Sequence, residues 1–207
     1  MCGGRGTRLG GGTEKPLTTV AGRPMIDRVC DALVGSRVGS IAAVVSPHTP
    51  ATRAHLTTQG EIGRPPDTHL IDAPGNGYVA DLQYALDALE PGDTPVLTVA
   101  ADLPLLDGNA VNTVIDAASR ARPDSLTVCV PATRKRELGV SADTSTVIDD
   151  RAIVPAGINA VSTHTTDSAV HVTTDRRIAV NVNYPSDVQV AEALLATTTE
   201  STPSNDA

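Results

Sequence analysis

The stretch Met1–Leu17, MCGGRGTRLGGGTEKPL, decides the fold of this 207-residue chain. Six of its first twelve residues are glycine, and Arg5, Arg8 and Lys15 stand among them or just after them. A glycine-rich loop of this kind normally follows a strand and leads into a helix, where bare backbone N–H groups cradle phosphate. Only two residues precede the first glycine, so the stretch predicts a phosphate-binding loop behind a very short strand.

Beyond the loop, apolar runs of strand length alternate with stretches whose apolar residues recur at helical spacing. Strands are predicted at 40–46, 68–73, 95–102 and 125–131, and helices at 24–35, 49–59, 77–90 and 109–121. Strands that are apolar throughout, in βαβα order, predict an α/β protein whose parallel sheet is covered on both faces.

The pattern changes after residue 144. Two short strands are predicted around 149–150, further strands at 169–174 and 177–183, and a last helix over 186–196. Residues 197–207 lack apolar anchors and are predicted to form a disordered tail. The chain is therefore expected to be a single domain, 1–196, followed by that tail.

The charge balance is unusual. The net charge is −8, with 18 Asp against 6 Glu and 14 Arg against only 2 Lys. An acidic, lysine-poor composition is typical of proteins from organisms with high internal salt, and predicts a halophilic protein; a GC-rich genome is the alternative explanation. Either way, no broad basic surface is expected to bind nucleic acid.

The cysteines and the hydropathy pattern indicate the cellular compartment of the protein. Cys2, Cys30 and Cys129 are scattered and odd in number, which indicates neither a disulfide framework nor a CxxC metal site. No apolar run reaches ~18 residues and no signal-peptide pattern is present, so no membrane span is expected. These features favour a cytoplasmic protein.

Three features follow predicted strands, and in open parallel sheets ligands bind at the carboxyl ends of strands. They are the opening loop, the segment DAPGNGYVADL after strand 68–73, and Asp102 at the end of strand 95–102. Arg5, Arg8 and Lys15 with the loop N–H groups would hold an oligophosphate, and Asp102 would hold Mg²⁺ beside it. This arrangement suits transfer chemistry at a nucleotide phosphate. Taken alone, the loop could be a flexible leader and Asp102 a helix cap.

Two other groups of polar residues carry weaker signals. The five histidines have no metal-ligand spacing. The basic cluster Arg134, Lys135 and Arg136 is predicted to be a solvated loop, with binding of an anionic acceptor as the alternative.

Three segments carry a family resemblance. GGRGTRLGGGTEKPL resembles the signature of the nucleotidyltransferases that activate sugar phosphates and cofactors, AADLPLL resembles their metal-aspartate motif, and NVNYPSDVQVAE resembles their closing segment. The resemblance implies a three-layer, Rossmann-like nucleotidyltransferase fold with a mostly parallel central sheet. It includes the molybdenum cofactor guanylyltransferases.

A narrower resemblance rests on EKPLTTVAGRPMIDRV, SPHTPAT, GNGYVADL, VPAGINAVS and NVNYPSD, in this order. These segments are similar to the archaeal GTP:adenosylcobinamide-phosphate guanylyltransferases of cobalamin synthesis. The resemblance implies transfer of GMP from GTP to adenosylcobinamide phosphate, with Mg²⁺ as cofactor. Two alternatives stay open: a nucleotidyltransferase acting on molybdopterin or a sugar phosphate, and a nucleotide-binding module that has lost its chemistry.

The resemblance also implies roles for individual residues. Arg8, Lys15 and Asp102 are expected to be catalytic, with Asn181 or Asn183 joining Asp102 on the metal. The nucleotide is expected to contact Gly3, Gly4, Gly6, Thr7, Ser46, Asp72, Gly75 and Gly77, and the acceptor Gly157 and Asn159. Asp72 is assigned to guanine, because a carboxylate can accept from N1–H and N2–H₂ together. The attacking phosphate is already an anion near neutral pH, so no general base is expected.

Family members usually carry several apolar residues before the first glycine, and these form the central first strand. The present sequence begins inside that strand. Two explanations are open: a start codon placed too late, or a protein that folds with a stub. A missing central strand would leave neighbouring backbone groups without partners.

Overall fold

A computed structural model describes residues 1–4, 6–10, 12–59, 68–122, 124–164 and 167–200. The strands are β1 Thr19–Val20, β2 Arg23–Pro24, β3 Ile41–Val45, β4 Thr68–Asp72, β5 Val96–Val99, β6 Leu126–Pro131, β7 Thr146–Ile148, β8 Arg151–Val161 and β9 Ala169–Val172. The helices are α1 Met25–Val34, α2 Pro50–Gln59, α3 Tyr78–Leu89, α4 Gly108–Arg120, α5 Ala132–Leu138, α6 Arg176–Ala179 and α7 Pro185–Glu200. Short 3₁₀ turns lie at Thr7–Leu9 and Lys15–Leu17.

The strands confirm the predicted α/β class. β3 and β4 pair in parallel, and the larger sheet has the order β5-β8-β6-β9 with β7 paired to β8. β8 is antiparallel to β5, β6 and β7, whereas β9 is parallel to β6. All strands of the larger sheet except β8 therefore point the same way, and the sheet is mostly but not entirely parallel.

The main core lies between the larger sheet and the helices α1 and α4. These helices contribute the buried side chains of Val29, Ala32, Val111 and Val114. A Cβ on Gly108 would lie only 2.1 Å from the carbonyl oxygen of Gly35, so the end of α1 and the start of α4 can meet only because residue 108 is glycine. The packing brings both helices onto one face of the sheet, beneath the strand ends that carry the polar residues described below.

Met1 and Cys2 lie between β3 and β5. The terminal ammonium of Met1 donates to the carbonyl of Val99 at 2.9 Å, and the amide of Cys2 donates to the carbonyl of Val44 at 2.8 Å. Among the described residues, these two are the ones that hydrogen-bond to the facing edges of β3 and β5. Further along, a mostly apolar cavity of about 610 Å³ separates the two edges. We call this cavity the inter-strand slot.

The predicted strand over 177–183 is wrong, because the segment begins with helix α6. The carboxylate of Asp175 caps that helix by accepting from the backbone N–H of Arg177 at 2.9 Å. The guanidinium of Arg177 also donates to both oxygens of Asp107 at 2.9 Å, which ties α6 to the start of α4. Residues 178–182 are buried without interruption, and continuous burial gives the same apolar pattern as an internal strand.

Three other segments differ from what their sequences predict. The cluster 134–136 lies on helix α5 instead of a solvated loop, and the Pro-Ala-Gly-Ile-Asn segment 155–159, whose sequence predicts an irregular stretch, lies inside the eleven-residue strand β8. Helix α7 continues to Glu200, so the predicted tail at 197–200 is helical, and a hydrogen bond from Thr197 Oγ1 to the Leu194 carbonyl lies in that last stretch. Residues 201–207 lie outside the described residues. Of the helices described, none has the length and hydropathy needed to cross a bilayer.

Candidate active site

A cavity of about 390 Å³ lies where the parallel strands end. Its walls come from the segments that follow Cys2, β3, β4 and β5, because the carboxyl ends of parallel strands meet at one edge of a sheet. The lining includes Gly3, Gly4, Lys15, His48, Gly75, Gly77, Tyr78, Asp81 and Asp102. Residues far apart in the sequence are thus brought together as predicted for the opening loop, the 72–82 segment and Asp102.

Lys15 and Asp102 form the central contact of this cavity. The ammonium of Lys15 donates to Asp102 Oδ2 at 2.6 Å and to Asn183 Oδ1 at 2.9 Å. The side chains of the ion pair are only 21% and 14% exposed, so water screens their charges weakly. The second oxygen of Asp102 accepts from Asn181 Nδ2 at 3.1 Å. Each oxygen of this carboxylate therefore has its own donor.

Asn181 is held from its other end by a lysine that sequence reasoning placed in solvent. The side chain of Lys135 is 1% exposed, and its ammonium donates to Asn181 Oδ1 at 2.9 Å and to the Ala179 carbonyl at 2.8 Å. Burial lowers the pKa of Lys135, against the opposing effect of the Asp102 and Asp187 charges. The oxygen that Asn181 would need as a metal ligand points at Lys135, so the predicted ligand role does not fit this orientation.

Asp187 is the residue that holds Asn183 in place. Its fully buried carboxylate accepts from the backbone amides of Asn183 and Tyr184, each at 2.9 Å, and from the hydroxyl of Ser141 at 2.8 Å. This caps the start of α7 and fixes the turn that carries Asn183. The quoted closing segment contained Asp187, but the prediction gave it no role.

The glycine-rich loop packs directly against Lys15. Gly6 has a φ of +58°, and a Cβ there would lie 2.6 Å from the Cβ of Lys15, so glycine is required on both counts. Ser46 Oγ donates to the carbonyl of Gly3 at 2.9 Å, which ties the loop to the end of β3. Thr7 begins the 3₁₀ turn that follows Gly6. Arg5 lies outside the described residues.

Arg8 and Asp72 are not part of the cavity lining. Arg8 forms an exposed ion pair with Asp143 at 3.2 Å. Asp72 receives two bonds from the guanidinium of Arg53, at 2.6 and 2.9 Å, and this partner lowers the pKa of its carboxyl. Both side chains would have to leave these exposed partners to contact a nucleotide in the cavity.

The carboxylate that does line the cavity on this side is Asp81, which the sequence analysis missed. It is 5% exposed, and its Oδ1 accepts from the backbone amides of Gly75 at 2.9 Å and Asn76 at 3.2 Å. It therefore shapes the loop that leads into α3. Its place in the quoted GNGYVADL segment was the available signal.

The two predicted acceptor residues lie on β8, beside the cavity. Gly157 has a φ of +77°, and a Cβ there would lie 2.9 Å from Ala100 Cβ and 4.0 Å from Asp102 Oδ1. Asn159 Nδ2 donates to the hydroxyl of Tyr78 at 3.3 Å. Gly157 is thus adjacent to Asp102, whereas Asn159 lies two residues further from it along the strand.

Two known proteins are similar to this chain in sequence. The chain is 31% identical to the adenosylcobinamide-phosphate guanylyltransferase of Methanocaldococcus jannaschii, over 94% of this chain and 95% of that protein. It is 34% identical to the 2-C-methyl-D-erythritol 4-phosphate cytidylyltransferase of Streptomyces avermitilis, over 58% of this chain and 48% of that protein, so it spans about half the length of this second relative.

A solved structure matches the fold over nearly the whole chain. It is a Bacillus anthracis protein described as a glucose-1-phosphate thymidylyltransferase, with a TM-score of 0.68 at 13% identity, covering 93% of this chain and 92% of that one. At this identity the match concerns the fold alone.

Residues 1–146 match the family described as the MobA-like NTP transferase domain. Because this match spans more than two thirds of the chain, the protein belongs to the MobA-like NTP transferase family.

Proposed function

We propose that this protein transfers GMP from GTP to adenosylcobinamide phosphate and releases pyrophosphate. The observation that carries the proposal is the similarity to the Methanocaldococcus jannaschii guanylyltransferase, which extends over 94% of the chain. It therefore includes β8 and the segment before α7 as well as the nucleotide-binding half. The cavity lined by the glycine-rich loop and Asp102, with Gly157 beside Asp102, is the site proposed for that reaction.

The mechanism needs positioning and charge neutralisation. In the proposal the triphosphate lies against the backbone of Gly3 and Gly4, with the Lys15 ammonium beside the α-phosphate. An oxygen of the acceptor phosphate attacks the α-phosphorus, the bond from that phosphorus to the bridging oxygen breaks, and pyrophosphate leaves with the electron pair. No proton has to be removed from the attacking anion. Catalysis then consists of alignment and stabilisation of the developing charge.

The donor set fits a magnesium ion that arrives with the nucleotide. Mg²⁺ usually binds one or two carboxylates together with substrate phosphates, and it would draw negative charge away from the α-phosphate. Asp102 is the group that would hold it. The amide oxygen of Asn183 accepts from the Lys15 ammonium at 2.9 Å and could join the metal only when that ammonium turns to the phosphate. Within the described ranges no group of three or more His, Cys, Asp or Glu side chains could form an all-protein metal cage, so substrate oxygens would complete the coordination.

In this proposal the Arg8 side chain leaves Asp143 and binds a phosphate oxygen of the nucleotide. The Arg8 side chain is 57% exposed, and exposed ion pairs such as Arg8–Asp143 are worth about 0–1 kcal/mol, so exchanging Asp143 for a phosphate oxygen costs little. The backbone of the loop needs no such movement.

The reaction itself is the direct test. The protein is incubated with GTP, Mg²⁺ and adenosylcobinamide phosphate, and both pyrophosphate and the GDP-linked product are measured. Parallel reactions contain molybdopterin or a sugar phosphate as the acceptor. Product with adenosylcobinamide phosphate alone supports the proposal. Product with another acceptor alone assigns a different member of the family, and no product with any acceptor overturns the enzymatic role.

The guanine assignment to Asp72 predicts a nucleotide preference. GTP should bind better than ATP, because adenine presents a lone pair at N1 where guanine presents a donor. Removing this pairing in Asp72→Ala should cost about 1–3 kcal/mol, or roughly five- to more than a hundredfold in GTP affinity. Calorimetric titrations with GTP, ATP and inorganic triphosphate measure this, and triphosphate binding should not change.

Asp116→Ala is the matched control for Asp72→Ala, because Asp116 is also an exposed carboxylate paired with an arginine, Arg37. The Asp116→Ala variant should keep the wild-type preference for GTP over ATP. If Asp72→Ala keeps it too, guanine is read elsewhere, and Asp81, the buried carboxylate of the cavity, becomes the residue to change.

The proposed salt adaptation predicts that the melting temperature rises from low salt into molar KCl. The chain has 18 Asp and only 2 Lys, and Lys15 and Lys135 are both largely buried in the site. Screening should therefore relieve repulsion between surface aspartates. Sucrose, which favours the folded state without screening charge, is the control for general exclusion effects. A melting temperature that stays flat or falls in KCl contradicts the adaptation.

A further inference from the structure

We infer that Lys135 is a positioning residue for the proposed metal and phosphate site, acting through Asn181 on the carboxylate of Asp102. The inference rests on the proposed function only for the identity of the ligand, a divalent cation bound with a nucleoside triphosphate. The contacts themselves belong to the folded protein and can be tested without the transfer reaction.

The burial of Lys135 is expensive for the fold. The side chain is 1% exposed and is the largest of the fully buried side chains described. Its two acceptors are neutral, the Ala179 carbonyl at 2.8 Å and Asn181 Oδ1 at 2.9 Å. No carboxylate in the described part of the chain lies within ion-pair distance of its ammonium. The charges of Asp102 and Asp187 offset part of the cost of burying this ammonium, but neither carboxylate contacts it, so stability alone is not a sufficient reason for a lysine at this position.

The contacts give such a reason. A lysine ammonium can only donate, so the oxygen of Asn181 has to face Lys135. The amide nitrogen then donates to the Ala156 carbonyl at 3.0 Å and to Asp102 Oδ1 at 3.1 Å. Anchored at both ends, the Asn181 side chain has one position and one orientation, and it presents a fixed donor to Asp102.

Asp102 is in turn held from two sides. Asn181 donates to its Oδ1 and Lys15 to its Oδ2. Without Lys135, the buried oxygen of Asn181 would have no donor from that side, and the amide could turn or shift. The carboxylate would then lose the partner that fixes its plane. Residues that orient a metal-binding group usually affect metal affinity and turnover about ten- to a hundredfold.

The same contacts connect four parts of the fold. Lys135 lies on α5, Asn181 follows α6, Ala156 lies on β8, and Asp102 follows β5. The carboxylate therefore gains a rigid support from elements that are far apart in the sequence. Asp102 lines the cavity, whereas Lys135 does not and, in the proposed mechanism, touches none of the reacting atoms.

The test compares Lys135→Met with Arg136→Met. Methionine keeps the length and packing of the lysine stem, and Arg136 is an exposed cation on the same helix. The change removes a buried charge, but it also leaves the Asn181 oxygen and the Ala179 carbonyl without their donor, and a buried acceptor without a donor destabilises the fold. We therefore expect Lys135→Met to melt some degrees below the wild-type temperature and to be fully folded at the assay temperature. Its affinity for Mn²⁺ in the presence of GTP, measured by electron paramagnetic resonance, should fall roughly tenfold.

Steady-state kinetics of the same variants separate an effect on kcat from an effect on KM. With adenosylcobinamide phosphate as acceptor, kcat of Lys135→Met should fall by a similar factor while KM for the acceptor changes little, and Arg136→Met should behave as wild type. Mn²⁺ affinity and kcat within twofold of wild type in Lys135→Met overturn the inference. So does a loss of both that appears only where the variant is already unfolding, because that would be a purely structural role.

Lys135→Gln keeps the test decisive if the methionine variant does not fold. Glutamine retains a neutral donor toward Asn181, so a folded variant with near-wild-type Mn²⁺ binding supports the inference, whereas one whose Mn²⁺ affinity falls tenfold or more overturns it. A wild-type protein that binds Mn²⁺ with GTP but transfers no GMP would overturn the proposed function alone. A wild-type protein that transfers GMP, with Lys135→Met unchanged from it, would overturn only the inference.

Discussion

Asp102→Asn should reduce GMP transfer by at least about a hundredfold, the usual loss when one preorganised electrostatic group is removed from an active site. Asparagine has the same shape, and the backbone carbonyl of residue 102 still accepts from the amide of Val182. The change removes the negative charge that pairs with Lys15 and that would hold the metal. The variant should therefore remain folded, with a wild-type circular dichroism spectrum and a melting temperature lowered by a few degrees at most.

The measurement is pyrophosphate release at saturating GTP and Mg²⁺. Asp116→Asn is the control, since it makes the same change at an exposed carboxylate paired with Arg37, and it should be fully active. Turnover of Asp102→Asn within a few-fold of wild type would remove Asp102 from the proposed mechanism.

An apolar extension of four residues before Met1 should raise the melting temperature by roughly 10 °C. The inter-strand slot offers backbone groups on β3 and β5 to such a segment, and its lining is mostly apolar on both sides. Each new hydrogen bond contributes about 0.5–1.5 kcal/mol and each buried aliphatic side chain about 1.5–3 kcal/mol. Ordering each residue costs about 1–2 kcal/mol. The net gain in the free energy of unfolding is several kcal/mol. For a chain of this size, each kcal/mol raises the melting temperature by about 2–4 °C.

The extension should be valine- or isoleucine-rich, because a strand between two others in this sheet is buried on both faces. It would also replace the terminal ammonium, which donates to the Val99 carbonyl, by a neutral peptide N–H that makes the same bond. A Gly-Asp-Ser-Gly extension is the control and should leave the melting temperature unchanged. Equal melting temperatures for the two extended proteins would mean that the slot does not accept a strand.

Local pattern was sufficient to predict β3, β4, β5 and β6, because each is an apolar run bounded by turn residues. It also predicted that the opening loop with Lys15 would lie beside Asp102, since both follow strands that end at one edge of the sheet; the direct contact between the two side chains was not predicted. The predicted strand over 177–183 failed because uninterrupted burial does not distinguish a strand from a short helix followed by an extended segment. The start of the helix is instead set by its cap, in which the Asp175 carboxylate accepts from the Arg177 backbone N–H. This is a contact between a side chain and the backbone, and burial alone does not reveal it.

Lys135 was missed for a different reason. A run of three cations without apolar spacing normally lies in solvent, and nothing in the run itself separates its middle residue from its neighbours. Lys135 differs from its neighbours because it donates to Ala179 and Asn181. These two residues are more than forty positions away, on a segment whose structure was itself predicted wrongly. Asp72 and Arg53 are a similar case, because an ion pair nineteen residues apart in sequence is set by the tertiary fold.

The burial of both lysines also determines how the protein can be labelled. The chain has 2 lysines; the Lys135 ammonium lies in the interior, and the side chain of Lys15 is 21% exposed at the cavity mouth. Of the two lysines, Lys15 is therefore the one that an amine-directed acylating reagent can reach. Because a nucleotide in the cavity would cover Lys15, the extent of its acylation becomes a direct reporter of site occupancy, with no tag and no engineered cysteine.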